Sequence, residues 1–124
     1  TRTWSVIAEV CAMFNRHELP ATDWRVMDHR PLVGEPLVTA TAIMRSIWNL
    51  APDFNQQIEA VHRLSAFGAV IAVKAYGTST EGLVAEWRMI QLPVVDGDRL
   101  DRCEIFDESD LDAALARFDE LSAE

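Results

Sequence analysis

Three consecutive residues, Asp28, His29 and Arg30, have side chains that could do chemistry together. A carboxylate can act as a general base, an imidazole can move a proton near neutral pH, and a guanidinium can bind an anion. The three residues end a short run, Trp24–Arg30, whose β-branched and aromatic residues predict a strand. Because neighbouring side chains of a strand point to opposite faces, Asp28 and His29 cannot both enter one cavity unless the strand bulges.

A structural role for the same residues is the alternative. Asp28 and Arg30 are two positions apart and therefore lie on one face of the predicted strand. There they can form an ion pair that anchors Pro31–Pro36, a segment whose two prolines and glycine exclude regular structure. We favour this structural role and keep Asp28 and His29 as the candidate catalytic residues.

Other side chains are candidates for the wall of a binding site. With Arg30, the predicted binding residues are His62, Trp87, Met89 and Trp48. His62 falls among apolar residues of an alternating run, which is typical of a core or pocket-wall histidine rather than an acid or base. Trp48 and Trp87 are expected in a core first, because large aromatic side chains dominate burial, and could otherwise stack against a ligand.

Length and charge exclude several classes of function. A chain of 124 residues suits a single domain with one core. The formal net charge of −9 argues against binding to a phosphate backbone, which needs clustered lysine and arginine. No apolar run approaches the ~20 residues that a membrane span requires. The three histidines do not have the spacing of a zinc site, and we expect neither a metal nor a cofactor.

The two cysteines, Cys11 and Cys103, both lie among apolar neighbours. This pattern favours two buried thiols in a reducing compartment over a disulfide, and hence a cytoplasmic location. The chain begins with Thr1 rather than methionine, and we interpret residues 1–124 as one domain of a longer protein.

Hydrophobic periodicity predicts an α+β domain. Helical periodicity marks the helices, alternation marks the strands, and polar residues with Gly or Pro separate them. The predicted helices are Arg2–Arg16, Pro36–Asn49 and Asp107–Leu121. The predicted strands after Trp24–Arg30 are Phe54–Ser65, Ala69–Thr78, Gly82–Val95 and Arg99–Phe106. Antiparallel strands with helices on one side predict a curved sheet that encloses a conical cavity.

The central strand, Gly82–Val95, has two apolar faces. We expect the face with Leu83, Trp87 and Met89 to close the cavity against the helices. The opposite face, with Val84, Ile90 and Leu92, is predicted to meet another protein surface, because a strand that is apolar on both sides is covered on both sides.

The order of elements, together with two local motifs, resembles the SnoaL-like, or nuclear transport factor 2-like, superfamily of α+β cone folds. The motifs are Asp28-His29-Arg30-Pro31 and the closing run from Phe106 to Leu121. They are similar to a group of uncharacterised actinobacterial members, some of them modules of larger regulatory chains. The resemblance covers nearly the whole chain and implies the fold more specifically than the function, since this fold hosts isomerases, cyclases, hydrolases and binding modules.

One branch of that superfamily, the ketosteroid isomerases, has a catalytic aspartate at a place similar to that of Asp28. In those enzymes a tyrosine and a protonated aspartate stabilise the oxyanion beside the base. The present sequence departs from this pattern, because its one tyrosine, Tyr76, has no evident carboxylate partner.

Two functional hypotheses follow. The first is a non-enzymatic small-molecule-binding or protein-interaction module, a homodimer through the outer face of the sheet. The alternative is a cofactor-independent isomerase, cyclase or hydrolase that acts on an apolar small molecule, with Asp28 as the general base.

Overall fold

The computed structural model describes residues 2–30 and 37–123. The described residues form three α-helices and six β-strands, with a short 3-10 turn at Glu108–Asp110 before the last helix. The helices are α1 (Arg2–Asn15), α2 (Ala40–Leu50) and α3 (Leu111–Ser122). The strands are β1 (Arg25–Asp28), β2 (Leu37–Thr39), β3 (Asn55–Leu64), β4 (Ala69–Thr78), β5 (Val84–Asp96) and β6 (Arg99–Asp107). None of the helices within the described ranges is long and apolar enough to cross a membrane.

The strands form one sheet in the order β2-β1-β6-β5-β4-β3. Strands β3 to β6 pair as an antiparallel meander, as the alternating sequence predicts. Strand β1 pairs in parallel with β6, so the sheet as a whole is mixed. The predicted α+β class with a curved sheet is confirmed, and the parallel pair is a feature that local periodicity does not encode.

Helices α1 and α2 pack on the concave face of the sheet. Their apolar stripes meet the inward-facing residues of the strands and form the larger of two core clusters. The buried members from the helices include Ile7, Phe14 and Met44, and those from the sheet include Val73 and Met89. This cluster surrounds the candidate site.

Helix α3 packs on the opposite, convex face. Its buried residues Ala114, Phe118 and Leu121 form a second core cluster with Ile90 and Leu92 of β5. Two expectations are therefore wrong: the helices do not all lie on one side of the sheet, and Ile90 and Leu92 do not meet another protein. The apolar stripe of α3 covers them, because an apolar helix stripe and an apolar sheet face of the same chain can bury each other.

The start of α2 also differs from the prediction. The helix begins at Ala40, and Leu37–Thr39 before it forms β2, which pairs antiparallel with β1. The carboxylate of Asp23 accepts hydrogen bonds from the backbone N–H and the hydroxyl of Thr41, so a loop residue caps the first turn. The predicted loop Pro31–Pro36 and the predicted helix start at Pro36 lie outside the described residues.

Strand β3 is an edge strand with two interruptions of its register. Its pairing with β4 shifts between Ile58 and Ala60, and again between Val61 and Arg63. Each shift inserts an extra residue and exchanges the faces to which the following side chains point. The second extra residue is His62.

Candidate functional site

A cavity of about 460 Å³ lies between the two N-terminal helices and the concave face of the sheet. We call it the cone cavity. Small-molecule sites in proteins usually have volumes of ~300–1,000 Å³ and predominantly apolar walls. The cone cavity has both properties, which makes it the candidate site.

Both helices present successive turns of one face to the cone cavity. The contributing residues are Ile7, Val10, Cys11 and Phe14 of α1, and Ala40, Ile43, Met44 and Ile47 of α2. Their spacing of three and four positions is the periodicity of a single helix face. The same stripe that predicted each helix therefore builds one wall of the cavity.

The sheet builds the opposite wall from every second residue of its central strands. Trp87, Met89, Gln91 and Pro93 of β5 line the cavity, as do Ile71 and Val73 of β4. Trp87 and Met89 thus lie at the cavity wall, whereas Leu83, which was expected on the same face, is 67% exposed and is not among the described lining residues. Trp87 is 37% exposed, so its ring, which packs 5.4 Å from the ring of Phe54, stands between the cavity and solvent.

Asp28 and Arg30 bring charge to the cone cavity. Both line it, and their side chains form an ion pair in which Nη2 and Nε of Arg30 donate to Asp28 Oδ2 and Oδ1 at 2.5 and 2.9 Å. The backbone N–H of Arg30 donates to Asp28 Oδ1 at 3.0 Å. The predicted ion pair is present, and the two residues share a face as strand parity requires.

The environment of this pair disfavours a free base. Burial opposes ionisation of Asp28, but the hydrogen bonds and the charge of Arg30 outweigh it and hold the pKa of Asp28 below its ordinary value. The hydrogen bonds from Arg30 to Asp28 in turn raise the pKa of Arg30. Both carboxylate oxygens of Asp28 already accept hydrogen bonds, so the group can accept a substrate proton only after the pair opens.

His29 points to the other face of the sheet. Its Nε2 lies 2.8 Å from Oε1 of Glu104, and its ring stacks on Phe106 with centroids 4.7 Å apart. The structure thus brings Asp28 and Arg30 together in the cavity and separates His29 from them. A catalytic pair of Asp28 and His29 acting on one ligand does not fit this geometry.

Two other predicted binding residues do not reach the cavity. His62 and Trp48 are absent from the described residues that line it. His62 is the extra residue of the second bulge in β3, which removes it from the alternation that the sequence pattern assumed. Trp48 of α2 packs against Phe14 and stacks on His17, with centroids 5.8 and 4.9 Å apart, and is part of the helix packing.

Both cysteines are free thiols at the cavity wall. Burial raises the pKa of Cys11, and burial together with the charge of Glu104 raises the pKa of Cys103 to about 12. A thiol nucleophile must be ionised to react. These thiols are therefore protonated at neutral pH and serve as small apolar wall residues.

Sequence reasoning missed two amides of the cavity wall, Gln56 and Gln91. Gln91 follows Trp87 and Met89 at every second position of the same strand, so the alternation of side chains predicts that it also faces the cavity. The side chain of Asn15 binds both polar groups of the Gln56 backbone. The Asn15 Nδ2 amide donates to Gln56 O, and Asn15 Oδ1 accepts from Gln56 N–H, each at 2.9 Å. A side-chain amide both donates and accepts hydrogen bonds, so either residue can bind a neutral polar group.

A buried carboxylate on the convex face was also missed. Glu104 is 0% exposed, and Arg117 of α3 donates from Nε to both of its oxygens at 3.2 Å. Arg102 and His29 lie beside the same carboxylate. We call these four residues the Glu104 cluster. Alternation on β6 predicts the outward direction of Glu104, but only the position of α3 explains its burial.

No group of three or more His, Cys, Asp or Glu among residues 2–30 and 37–123 is arranged to hold a metal ion. Among the described lining residues, the polar side chains are thus an ion pair, two amides, two protonated thiols and the indoles of Trp24 and Trp87. These groups can bind and orient an apolar molecule. Within the described residues they do not form a complete acid–base or nucleophilic constellation.

The sequence matches no family model and no curated protein. Solved structures do share the fold. An NTF2-like protein of unknown function from Burkholderia pseudomallei is 17% identical over 90% of this chain and 95% of that chain, with a TM-score of 0.66. A proposed SnoaL-like polyketide cyclase from Jannaschia is 11% identical over 87% of this chain and 86% of that chain, with a TM-score of 0.65. TerC, co-crystallised with polyporic acid, is 12% identical over 94% of this chain and 99% of that chain, with a TM-score of 0.67.

The chain is an α+β domain with a curved sheet, two helices in its concavity and a cavity between them. It shares this fold with solved structures described as SnoaL-like and NTF2-like. The predicted resemblance is confirmed at the level of fold. Identities of 11–17% leave the function to be argued from the cavity itself.

Proposed function

We propose that the chain binds an apolar small molecule in the cone cavity and that binding, rather than catalysis, is its function. The observation that carries the proposal is the cavity volume of about 460 Å³ inside an otherwise packed core. Protein interiors are normally close-packed, so the apolar side chains that line this cavity lack packing partners on one side. A bound apolar ligand would supply those contacts. TerC, which shares the fold, was co-crystallised with a small molecule, polyporic acid.

The four methionines provide a test of this proposal within one spectrum. Met44 and Met89 line the cavity, whereas Met13 and Met27 are not among its described lining residues. The protein would be labelled with 13C at the methionine ε-methyl groups and titrated with N-phenyl-1-naphthylamine, a neutral apolar probe. We expect the signals of Met44 and Met89 to shift and those of Met13 and Met27 to stay in place. Shifts confined to Met13 and Met27, or no shift at all, would contradict binding in the cone cavity.

A homodimer is the second part of the proposal, through the region of the convex face that α3 leaves open. Val84 is 81% exposed there, and charges of both signs lie side by side: Arg88 contacts Glu59 at 2.9 Å and Glu86 at 3.7 Å. Lys74 contacts Glu86 at 3.4 Å. A second copy related by a twofold axis could bring opposite charges together across such a patch.

Sedimentation of the wild type and of Arg88→Glu over a range of concentrations tests the dimer. We expect the wild type to dimerise and the charge reversal to weaken the dimer, because it places a third acidic group beside Glu59 and Glu86. A wild type that stays monomeric at high concentration would exclude this part of the proposal and leave ligand binding unaffected.

Catalysis with Asp28 as the base is the second candidate function. The observation that favours it is the position of the Asp28 carboxylate in the cavity wall, in a fold shared with a proposed polyketide cyclase. Since Arg30 lowers the pKa of Asp28, this candidate requires a substrate that separates the pair. Turnover of any identified substrate should fall by at least ~100-fold in Asp28→Asn, the usual range for loss of a general base. Unchanged turnover would exclude Asp28 as the base.

A further inference from the structure

We infer that the cone cavity selects uncharged ligands and rejects anions, because Asp28 and Arg30 form an ion pair and neutralise each other's charge. The inference rests on the proposed binding function and adds the chemical class of the ligand. It follows from the partners of each charged group at the cavity wall.

Among the described residues that line the cavity, Asp28 and Arg30 are the charged ones. Their side chains are 11% and 30% exposed, so the pair is partly shielded from water. Nε and Nη2 of Arg30 both donate to Asp28, at distances of 2.5 to 3.2 Å. An anion that used Arg30 as its partner would have to compete with a carboxylate that is already bound in a two-point arrangement.

A third charge makes the surroundings of Arg30 negative. Asp107 lies close enough to Arg30 for its charge to contribute to raising the pKa of Arg30. Asp28 and Asp107 together carry two negative charges against the one positive charge of Arg30. His29 is on the opposite face, where it contacts Glu104. Among the described lining residues, a ligand anion would therefore meet one cation, Arg30, which already pairs with Asp28, and burying a poorly paired charge is strongly unfavourable.

The remaining polar groups suit a neutral ligand. Gln91 lies in the same cross-strand row as Asp28, since Asp28 pairs with Ile105 and Ile105 pairs with Gln91. Two strand spacings separate Asp28 and Gln91, roughly 10 Å. The amide of Gln91 donates to Met89 Sδ at 3.5 Å, a weak acceptor that a ligand carbonyl or hydroxyl could replace. Neutral oxygen groups can thus be satisfied where an anion cannot.

Two fluorescent probes with one scaffold test this selectivity. N-phenyl-1-naphthylamine is neutral, and 8-anilino-1-naphthalenesulfonate carries an added sulfonate. Both would be titrated at physiological ionic strength into the wild type, into Asp28→Asn and into Asp119→Asn. Asp119 is exposed on α3, on the other side of the sheet, so Asp119→Asn makes the same change in net charge far from the cavity. Methionine ε-methyl shifts would locate each probe.

We expect the wild type and Asp119→Asn to bind the neutral probe at least ~10-fold more tightly than the sulfonate, a difference of ~1.4 kcal/mol. In Asp28→Asn, which releases Arg30, the ratio should fall by about tenfold through tighter sulfonate binding. Equal affinities in the wild type, or a ratio that Asp28→Asn leaves unchanged, would overturn the inference while leaving the binding function intact. If neither probe shifts Met44 and Met89, the binding function itself fails.

Arg30→Gln keeps the test decisive if Asp28→Asn does not fold. This variant leaves the Asp28 carboxylate without its cation, so the preference for the neutral probe should widen. A preference that is unchanged or narrower would count against the inference.

Discussion

The two faces of the sheet each carry an ion-paired carboxylate, but the two carboxylates differ in burial and in the number of charged partners. On the concave face Asp28 pairs with one arginine beside a cavity of about 460 Å³. On the convex face Glu104 is 0% exposed, has Arg117, Arg102 and His29 around it, and lies under a helix in a filled core. Asp28 and His29 are adjacent in the chain, so one strand supplies residues to both arrangements.

The two faces differ in what a substitution on each of them is expected to change. Where α3 covers it, the convex face is closed: apolar residues of the sheet pack against α3, and the buried charge of Glu104 lies beside Arg117, Arg102 and His29. The concave face contains the cone cavity, where side chains are less closely packed, and its ion pair is partly exposed. A change on the convex face should therefore affect folding, whereas a change on the concave face should affect ligand affinity more than folding.

The largest expected effect is in the Glu104 cluster. Glu104→Gln keeps the shape of the side chain but leaves Arg117 and Arg102 without their buried counter-charge. We expect a loss of about 3 kcal/mol in the free energy of unfolding, as for one broken member of a buried pair. Urea denaturation measures it. Glu120→Gln is the matched control, because Glu120 also contacts Arg117 but is exposed, and it should cost at most ~0.5 kcal/mol. Similar losses in both variants would contradict the special role of Glu104.

A pair of valines on β4 compares the two faces with identical chemistry. Val70 belongs to the convex core and Val73 to the cavity wall, and they are 0% and 2% exposed. Truncation to alanine removes two methyl groups, about 1.6 kcal/mol of transfer free energy in either case. Val70→Ala also creates a new void, so we expect about 2.5 kcal/mol there and about 1.5 kcal/mol for Val73→Ala.

Denaturation and titration with N-phenyl-1-naphthylamine check this comparison together. Val73→Ala should change the affinity for the probe, and Val70→Ala should leave it within twofold. An effect of Val70→Ala on affinity, without an effect of Val73→Ala, would reverse the assignment of the two faces.

The smallest expected effect concerns the pH dependence of the Asp28–Arg30 pair. Because the folded pKa of Asp28 is lowered, the pair stabilises the fold above the ordinary aspartate pKa of ~3.9, and this stabilisation is lost as the pH falls through the folded pKa. At pH 7, Asp28→Asn should be less stable than the wild type by about 1–2 kcal/mol, between the values for exposed and buried pairs. The difference should shrink as the pH falls below ~4 and approach zero once Asp28 is protonated in the folded protein. Urea denaturation across this range measures it, with Asp119→Asn as a control that should show no such trend.

The sequence predicted the local elements well because periodicity reports which face of an element is buried. Strand β4 matches the predicted Ala69–Thr78, and α1 ends within one residue of the prediction. Long-range choices were not predictable in the same way. The parallel pairing of β1 with β6 joins residues more than 70 positions apart. The apolar stripe of α3 predicts that the helix packs on the sheet, but it does not predict on which face.

The residues of the candidate site were predictable where side chains alternate between the two faces of a strand without a bulge. Parity placed Asp28 and Arg30 on one face and His29 on the other, and it put Trp87 and Met89 together. It failed for His62, because a bulge exchanges the faces of a strand without leaving a clear mark in the sequence. The burial of Glu104 could not be predicted either, since it depends on a helix that returns from the end of the chain.

The edges of the sheet have a consequence for how copies of this protein meet. Among the described residues, the two outermost strands are β2, which spans three residues, and β3, with two bulges. Short or irregular edge strands are poor templates for adding another strand, and natural proteins use them to avoid edge-to-edge aggregation. Crowded molecules should accordingly resist growth into extended ribbons through strand addition, and association should be through faces rather than edges.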